Sequence, residues 1–205
     1  MSGRRLAFLA AVVAILSGAA ACSHGGGGAA RVGPTSTTAA GPLAFTVSGT
    51  DVQSVPSPAP PFPDDVKAAV VDVLDRYLSQ AVAGPLTTGR PAADLGALFT
   101  APALARVNGP DRGAMVDEGL PTAPGLVLSA ASARLVALVP SGTSLTAVAA
   151  AIDLRVQTRG SDPVTVARTG HLVLVPNGST WKIDGYDLHV TRDSDGGSVT
   201  TEAHK

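Results

Sequence analysis

The spacing of apolar positions changes once along this chain, near Gly125. Upstream, Val66, Ala69, Val70, Val73, Leu74, Tyr77 and Leu78 recur every three or four residues. That spacing gathers one apolar stripe on a helix and leaves Lys67, Asp72, Asp75 and Arg76 largely off it. Pro63 and Asp64 are start signals, and Asp65 suits the positive end of a helix. Gly84-Pro85 predicts the stop, near Ala83. Two shorter helices are expected next: one over 94–99 that runs on past Pro102 to Val107, and one over 110–118 that stops at Gly119. Downstream, alternation with period two predicts four long strands, Leu126–Val139, Thr143–Thr158, Val164–Val175 and Thr180–Val190. Turn residues separate them: Pro140-Ser141-Gly142, Gly160-Ser161-Asp162-Pro163 and Asn177-Gly178.

The flanks differ in character. Leu43, Phe45 and Val47 alternate with Ala44 and Thr46, which predicts a short strand at the domain edge. The five prolines of residues 56–63 predict an extended connector. Residues 193–205 are polar and glycine-rich and are expected to be disordered. The folded domain is therefore placed at 63–192, with 43–62 as strand and connector.

The Asn177-Gly178 signal allows a strand register to be predicted. If those two residues form the turn, Leu174 faces Trp181, Leu172 faces Ile183 and His171 faces Asp184. Cross-strand partners share a face, so Leu172, Leu174, Trp181 and Ile183 belong to the core and His171, Val173, Lys182 and Asp184 to the outside. In the preceding strand Val148, Ala150, Ile152, Leu154 and Val156 point inward, leaving Asp153, Arg155 and Gln157 outside.

A long helix, short helices and then a run of antiparallel strands is an α+β order. Together with the closing segment from His171 to Leu188, in which Trp181 is followed by Lys182 and Ile183 after the Asn-Gly turn, it resembles the nuclear transport factor 2-like, or cystatin-like, fold. The resemblance covers roughly residues 63–190. It implies helices packed on a curved antiparallel sheet of four or more strands, closed into a cone. Such domains occur in the actinobacterial envelope, among proteins associated with mammalian-cell-entry transport systems.

The first residues carry their own pattern. Arg4 and Arg5 precede an unbroken apolar run of eleven residues, Leu6 to Leu16. The run is too short for a membrane span, which needs roughly 20 residues, and reads as a secretory signal. Ser17, Gly18, Ala19, Ala20 and Ala21 lead to Cys22, the one cysteine of the chain. This order resembles the lipobox of bacterial lipoproteins, with Ala19 where leucine is usual. The resemblance implies removal of residues 1–21, acylation of Cys22 by palmitate-type chains, and a protein held outside the cytoplasm on the cell membrane. A plain Ala-x-Ala signal cleavage is the competing reading. Residues 22–42, with Gly25 to Gly28 and almost no core-forming side chains, read as a tether.

Loss of Arg4 and Arg5 with the signal leaves 13 basic against 16 acidic residues. Aromatics are 3% of the chain. A nucleic-acid partner is not expected, because no basic stripe or stacking platform is present. The high alanine and glycine content suggests a GC-rich actinobacterial genome.

Candidate chemistry is sparse. His171 with Asp184 is the best acid–base pair by register, but on the outer face it reads as an exposed ion pair. Asp153 resembles the pocket carboxylate of isomerases of this fold, and alternation points it outward beside Arg155. Arg168 shares the parity of Val164, Val166, Leu172 and Leu174. It is the candidate anchor for an acidic ligand head inside the cone, against a strand-edge arginine laying its stem over apolar surface. Asp111 is expected to serve the start of a short helix. The histidines lack paired spacing, so no metal site and no cofactor are expected. These readings describe a membrane-anchored envelope module that binds or scaffolds a protein or an apolar or amphipathic ligand without catalysis. The alternative is an isomerase- or dehydratase-like enzyme working in the cone.

Overall fold

The computed structural model describes residues 43–54, 59–90, 94–140 and 144–204. Cys22, the signal segment 1–21 and the tether 22–42 lie outside them, as do residues 55–58 of the connector. The described chain is α+β. Strands β1 (Thr46–Ser54), β2 (Gly125–Val139), β3 (Ala147–Arg159), β4 (Thr165–Asn177), β5 (Thr180–Ser194) and β6 (Gly197–His204) form one open sheet in sequential order. Strand β1 runs parallel to β2, and every other pairing is antiparallel.

The predicted stripe becomes helix α1 (Asp64–Tyr77), which buries Val70, Val73, Leu74 and Tyr77 and packs on β5. The helix does not stop at Gly84-Pro85. A π-helical turn (Leu78–Ala83) leads into a short helix α2 (Gly84–Thr88), and Gly89, at φ 66°, closes it. Proline at α2's first turn needs no N–H of its own there. Pro85 has no N–H to offer the Ala81 carbonyl four residues back, and Asp117 N–H donates to that carbonyl instead at 2.9 Å. A glycine–proline pair is thus accommodated because a distant loop satisfies the backbone. A 3₁₀ turn (Leu95–Ala97), α3 (Ala101–Val107) and α4 (Arg112–Met115) complete the helical layer.

The core lies between this layer and one face of the sheet. Val148, Ala150, Ile152, Leu154 and Val156 of β3 are buried, and Asp153, Arg155 and Gln157 are exposed, as alternation requires. Leu172, Leu174 and Ile183 meet Leu74, Leu78, Leu98 and Phe99 in the same cluster. Tyr77 and Phe99 contact edge to face, with ring centroids 6.3 Å apart.

The β4–β5 turn lies one residue later than expected, which shifts the strand pairing beside it by two positions. Asn177 pairs with Thr180, so Gly178 and Ser179 are the turn, with Gly178 at φ 63°. Glycine at the first central position suits a tight hairpin as well as Asn-Gly does. Leu174 therefore faces Ile183, and Trp181 faces Pro176. A bulge at Asp184 then changes the parity of β5, so that Leu172 faces Tyr186 and His171 faces Asp187. The expected His171–Asp184 pair does not form. A distant segment meets the bulge: Leu98–Thr100 docks on β5 beyond the end of β6. Ile183 N–H donates to the Leu98 carbonyl at 2.8 Å, Thr100 N–H donates to the Ile183 carbonyl at 3.0 Å, and Thr100 Oγ1 donates to Asp184 at 2.6 Å.

This arrangement ranks three substitutions. Trp181 is only partly buried at the edge of the core. Trp181→Ala is expected to cost about 1–3 kcal/mol, less than a fully enclosed tryptophan. Leu172→Ala, at a site with no exposure, should cost about 2–5 kcal/mol. His171→Ala should cost less than about 0.5 kcal/mol, as an exposed position. Denaturant melts check the order, and a large loss at His171 would mean that the two faces are inverted.

The expected disordered tail is also corrected. Residues 197–204 form β6, paired with β5 from Asp187–His204 to Ser194–Gly197. Asp195 and Gly196 make the connecting turn, and Ala203 is buried beneath the strand. Backbone pairing and that one apolar contact order a segment whose composition looks solvated.

Candidate functional site

Strand alternation carries Arg168 inward, as expected, and the residue is fully buried. Its surroundings are polar. Arg168 Nη2 donates to Asp117 Oδ2 at 2.5 Å, and Nη1 donates to Tyr77 Oη at 2.8 Å and to the Ala114 carbonyl. Tyr77 in turn donates to the Met115 carbonyl at 3.1 Å, and its ring lies 5.8 Å from the guanidinium carbon. Asp117 comes from the loop after α4 and has no side-chain exposure. Its second oxygen accepts from Arg192 Nε at 2.8 Å, and Arg192 also reaches Thr201 of β6 at 3.3 Å.

One carboxylate is thus shared by two guanidiniums. Two buried cations on one anion would leave a costly excess charge, but the Arg192 side chain keeps 10% exposure and opens toward the edge at β6. Burial pulls the Arg168 proton affinity down, and the Asp117 carboxylate with Tyr77 outweighs it, so the group stays charged, above its ordinary range. Burial likewise pushes the Tyr77 hydroxyl up, with Arg168 opposing and Asp117 adding to the shift. Both groups hold their protons near neutral pH. The cluster is a clamp joining α1, the loop after α4, β4, β5 and β6, not a proton-transfer site.

Arg168 therefore does not serve as the free anchor that its parity suggested. Its Nη donors are taken within the fold, and no surface remains for an acidic head. Sequence reasoning missed Asp117 and Arg192 as its companions. Arg192 lies on the inward parity only after the bulge at Asp184, and Asp117 sits in a loop with no periodic signal.

A second cluster lies alongside. Asp111 stands at the start of α4, as expected, but it is buried and its side chain makes no cap hydrogen bond. It accepts from Arg106 Nε at 2.7 Å and from Tyr186 Oη at 2.6 Å. Burial and the Asp111 carboxylate push the Tyr186 hydroxyl up to about 12. Arg106 Nη2 also donates to the His204 carbonyl at 3.1 Å, which fastens the end of β6. His171 and Asp153 stand exposed on the opposite face of the sheet.

Among the described residues, two open grooves stand out on the surface. One, of about 660 Å³, is lined by Val52, Leu138, Val139, Pro140 and their neighbours at one end of β1 and β2. The other, of about 710 Å³, lies between Phe45–Val47 and the outer side of α1, beside Asp72 and Asp75. Neither is lined by Arg168, His171 or Asp153. Among the described residues no helix is long and apolar enough to cross a membrane. In comparisons with protein-family models, curated proteins and solved structures, nothing matches this chain.

Proposed function

We propose that the chain is an envelope lipoprotein, anchored through Cys22 on the outer face of the cell membrane, whose folded domain binds or scaffolds without catalysis. The observation that carries the non-catalytic part is the internal use of the buried charge. Arg168 and Arg192 share Asp117, Arg168 also donates to Tyr77, and the base candidates Asp153 and His171 are exposed on the other face. A catalytic cone needs a proton-transfer group beside its substrate. The anchor rests on the order of Arg4, Arg5, Leu6–Leu16, small residues and Cys22. The element order, a long helix before a run of antiparallel strands, supports the nuclear transport factor 2-like reading of the domain. The apolar groove at Leu138 and Val139 suits an apolar or amphipathic ligand or a protein segment.

Labelling with a palmitate analogue in a bacterial host, followed by membrane fractionation and in-cell crosslinking, tests this reading. The wild-type chain should take the label, sediment with membranes and crosslink there. Cys22→Ser should lose the label and appear in the soluble fraction. Unchanged labelling of Cys22→Ser would refute the anchor, and turnover of a small carbonyl substrate by the purified chain would refute the non-catalytic role.

A further inference from the structure

The outer side of three neighbouring strands breaks the apolar–polar alternation. Residues 135–139 of β2, 147–152 of β3 and 172–175 of β4 are unbroken apolar runs. An antiparallel strand with one solvated face alternates, whereas an unbroken run marks a strand covered on both faces. The helical layer covers the inner face. Val136, Leu138, Ala149, Val173 and Val175 hold outer positions, and among the described residues none of them belongs to the core cluster or packs against it.

The register across the sheet makes this face complementary to itself. In one row Val136, Ala149, Val173 and Gly185 stand side by side on β2, β3, β4 and β5. The next row is Arg134, Ala151, His171 and Asp187. A twofold axis along the strands, between β3 and β4, lays a second copy on this face with β2 over β5 and β3 over β4. Each row then meets its own reverse. Val136 meets Gly185 and Ala149 meets Val173, a branched side chain over a small residue each time, as interdigitating sheets require. Arg134 meets Asp187 twice, and His171 meets Ala151. The row beyond sets Asp153 over Thr169 and Ser132 over His189. No like charges meet in these three rows.

We infer that this face joins two copies of the chain, sheet on sheet, about a twofold axis parallel to β3 and β4. Charge complementarity commits the surface to a second copy, because Arg134 and Asp187 flank the apolar row on opposite sides and only a reversed copy pairs both. Arg134 is exposed and makes no ion pair among the described residues. Asp187 holds His204 Nδ1 at 2.6 Å through Oδ1. A carboxylate accepts several donors at once, so Arg134 of the second copy adds to that contact. Ala149, Ala151 and Gly185 let the sheets approach to the ordinary spacing of about 10 Å. Strands about 4.8 Å apart and residues rising about 3.4 Å give four strands by eight residues roughly 500 Å² on each copy. A total of about 1,000 Å² is at the low end for a specific interface, so the pair is reversible. The contact involves neither Cys22 nor the anchor.

Thiol crosslinking of the full chain in a Cys22→Ser background tests the geometry. Arg134→Cys/Asp187→Cys sets two thiols about 14 Å apart on opposite flanks of one copy, and over each other between copies. A short bis-maleimide should therefore yield a covalent dimer from the double variant. Either single variant should yield at least about tenfold less, since its two thiols lie on opposite flanks of the pair. Sedimentation velocity gives a second readout. The background chain should pass from monomer to dimer as its concentration rises. Arg134→Glu, which sets like charges together, should weaken association by at least about tenfold, and Arg134→Glu/Asp187→Arg should recover most of it. Circular dichroism should stay unchanged, because both side chains are exposed. No more dimer from the double variant than from the single ones would overturn the pairing. A background chain that stays monomeric throughout, or association unaltered by Arg134→Glu, would do the same.

Discussion

Asp117→Ala is expected to lower the unfolding free energy by about 3–5 kcal/mol, the range for breaking a buried ion pair from one side. The substitution leaves Arg168, with no exposure, charged and without its anion, and takes the main partner from Arg192. The loop itself keeps its tie to the π-turn, because that bond runs from the Asp117 backbone N–H to the Ala81 carbonyl. The loss is therefore electrostatic rather than a displaced loop. Asp117→Asn, which keeps the shape and one acceptor, should cost less than alanine. A paired Arg168→Met/Asp117→Leu variant should recover part of the loss, since it also removes the cost of burying the pair. Equilibrium denaturant melts measure all three. An Asp117→Ala variant within about 1 kcal/mol of wild type would mean that water already solvates this cluster.

Gly170→Ala is expected to cost at least about 3 kcal/mol. Gly170 sits in β4, between β3 and β5, at φ 133°. A β-carbon there would overlap the Asp187 carbonyl oxygen and stand 3.1 Å from both the Asp187 carbonyl carbon and Leu188 Cα. All three are backbone atoms of the neighbouring strand, which cannot turn aside as a side chain can. Backbone strain of about 1–3 kcal/mol adds to overpacking of about 1–3 kcal/mol. Gly178→Ala is the control. It has φ 63° in an exposed turn with nothing within 4 Å of the new atom, so only the left-handed backbone costs, about 1–2 kcal/mol. Thermal or denaturant unfolding separates the two. Equal losses would show that β4 and β5 can part at Gly170.

Local chemistry decided much of this protein before any tertiary contact. The stripe from Val66 to Leu78 made a helix, and the alternation of Val148 to Val156 made a strand with Asp153 and Arg155 outside. Both outcomes follow from side-chain period, which a few neighbouring residues determine. Even β6 had a legible start, since Asp195-Gly196 is as good a hairpin signal as Asn177-Gly178. Composition, read alone, concealed it.

Only the tertiary structure decided what those elements meet. The docking of Leu98–Thr100 on Ile183 accompanies the bulge at Asp184, and the bulge exchanges the partner of His171 and turns Tyr186 and Arg192 inward. Arg168 was identifiable as an inward charge from parity, but its use as a clamp depended on Asp117, fifty-one positions away in a loop. Helix α2 could continue through Gly84-Pro85 because that same loop donates to the Ala81 carbonyl. A period specifies which face a residue occupies. Which charge, carbonyl or strand lies opposite that face is set by long-range packing, where burial makes an unpaired group costly and so selects the arrangement that pairs it.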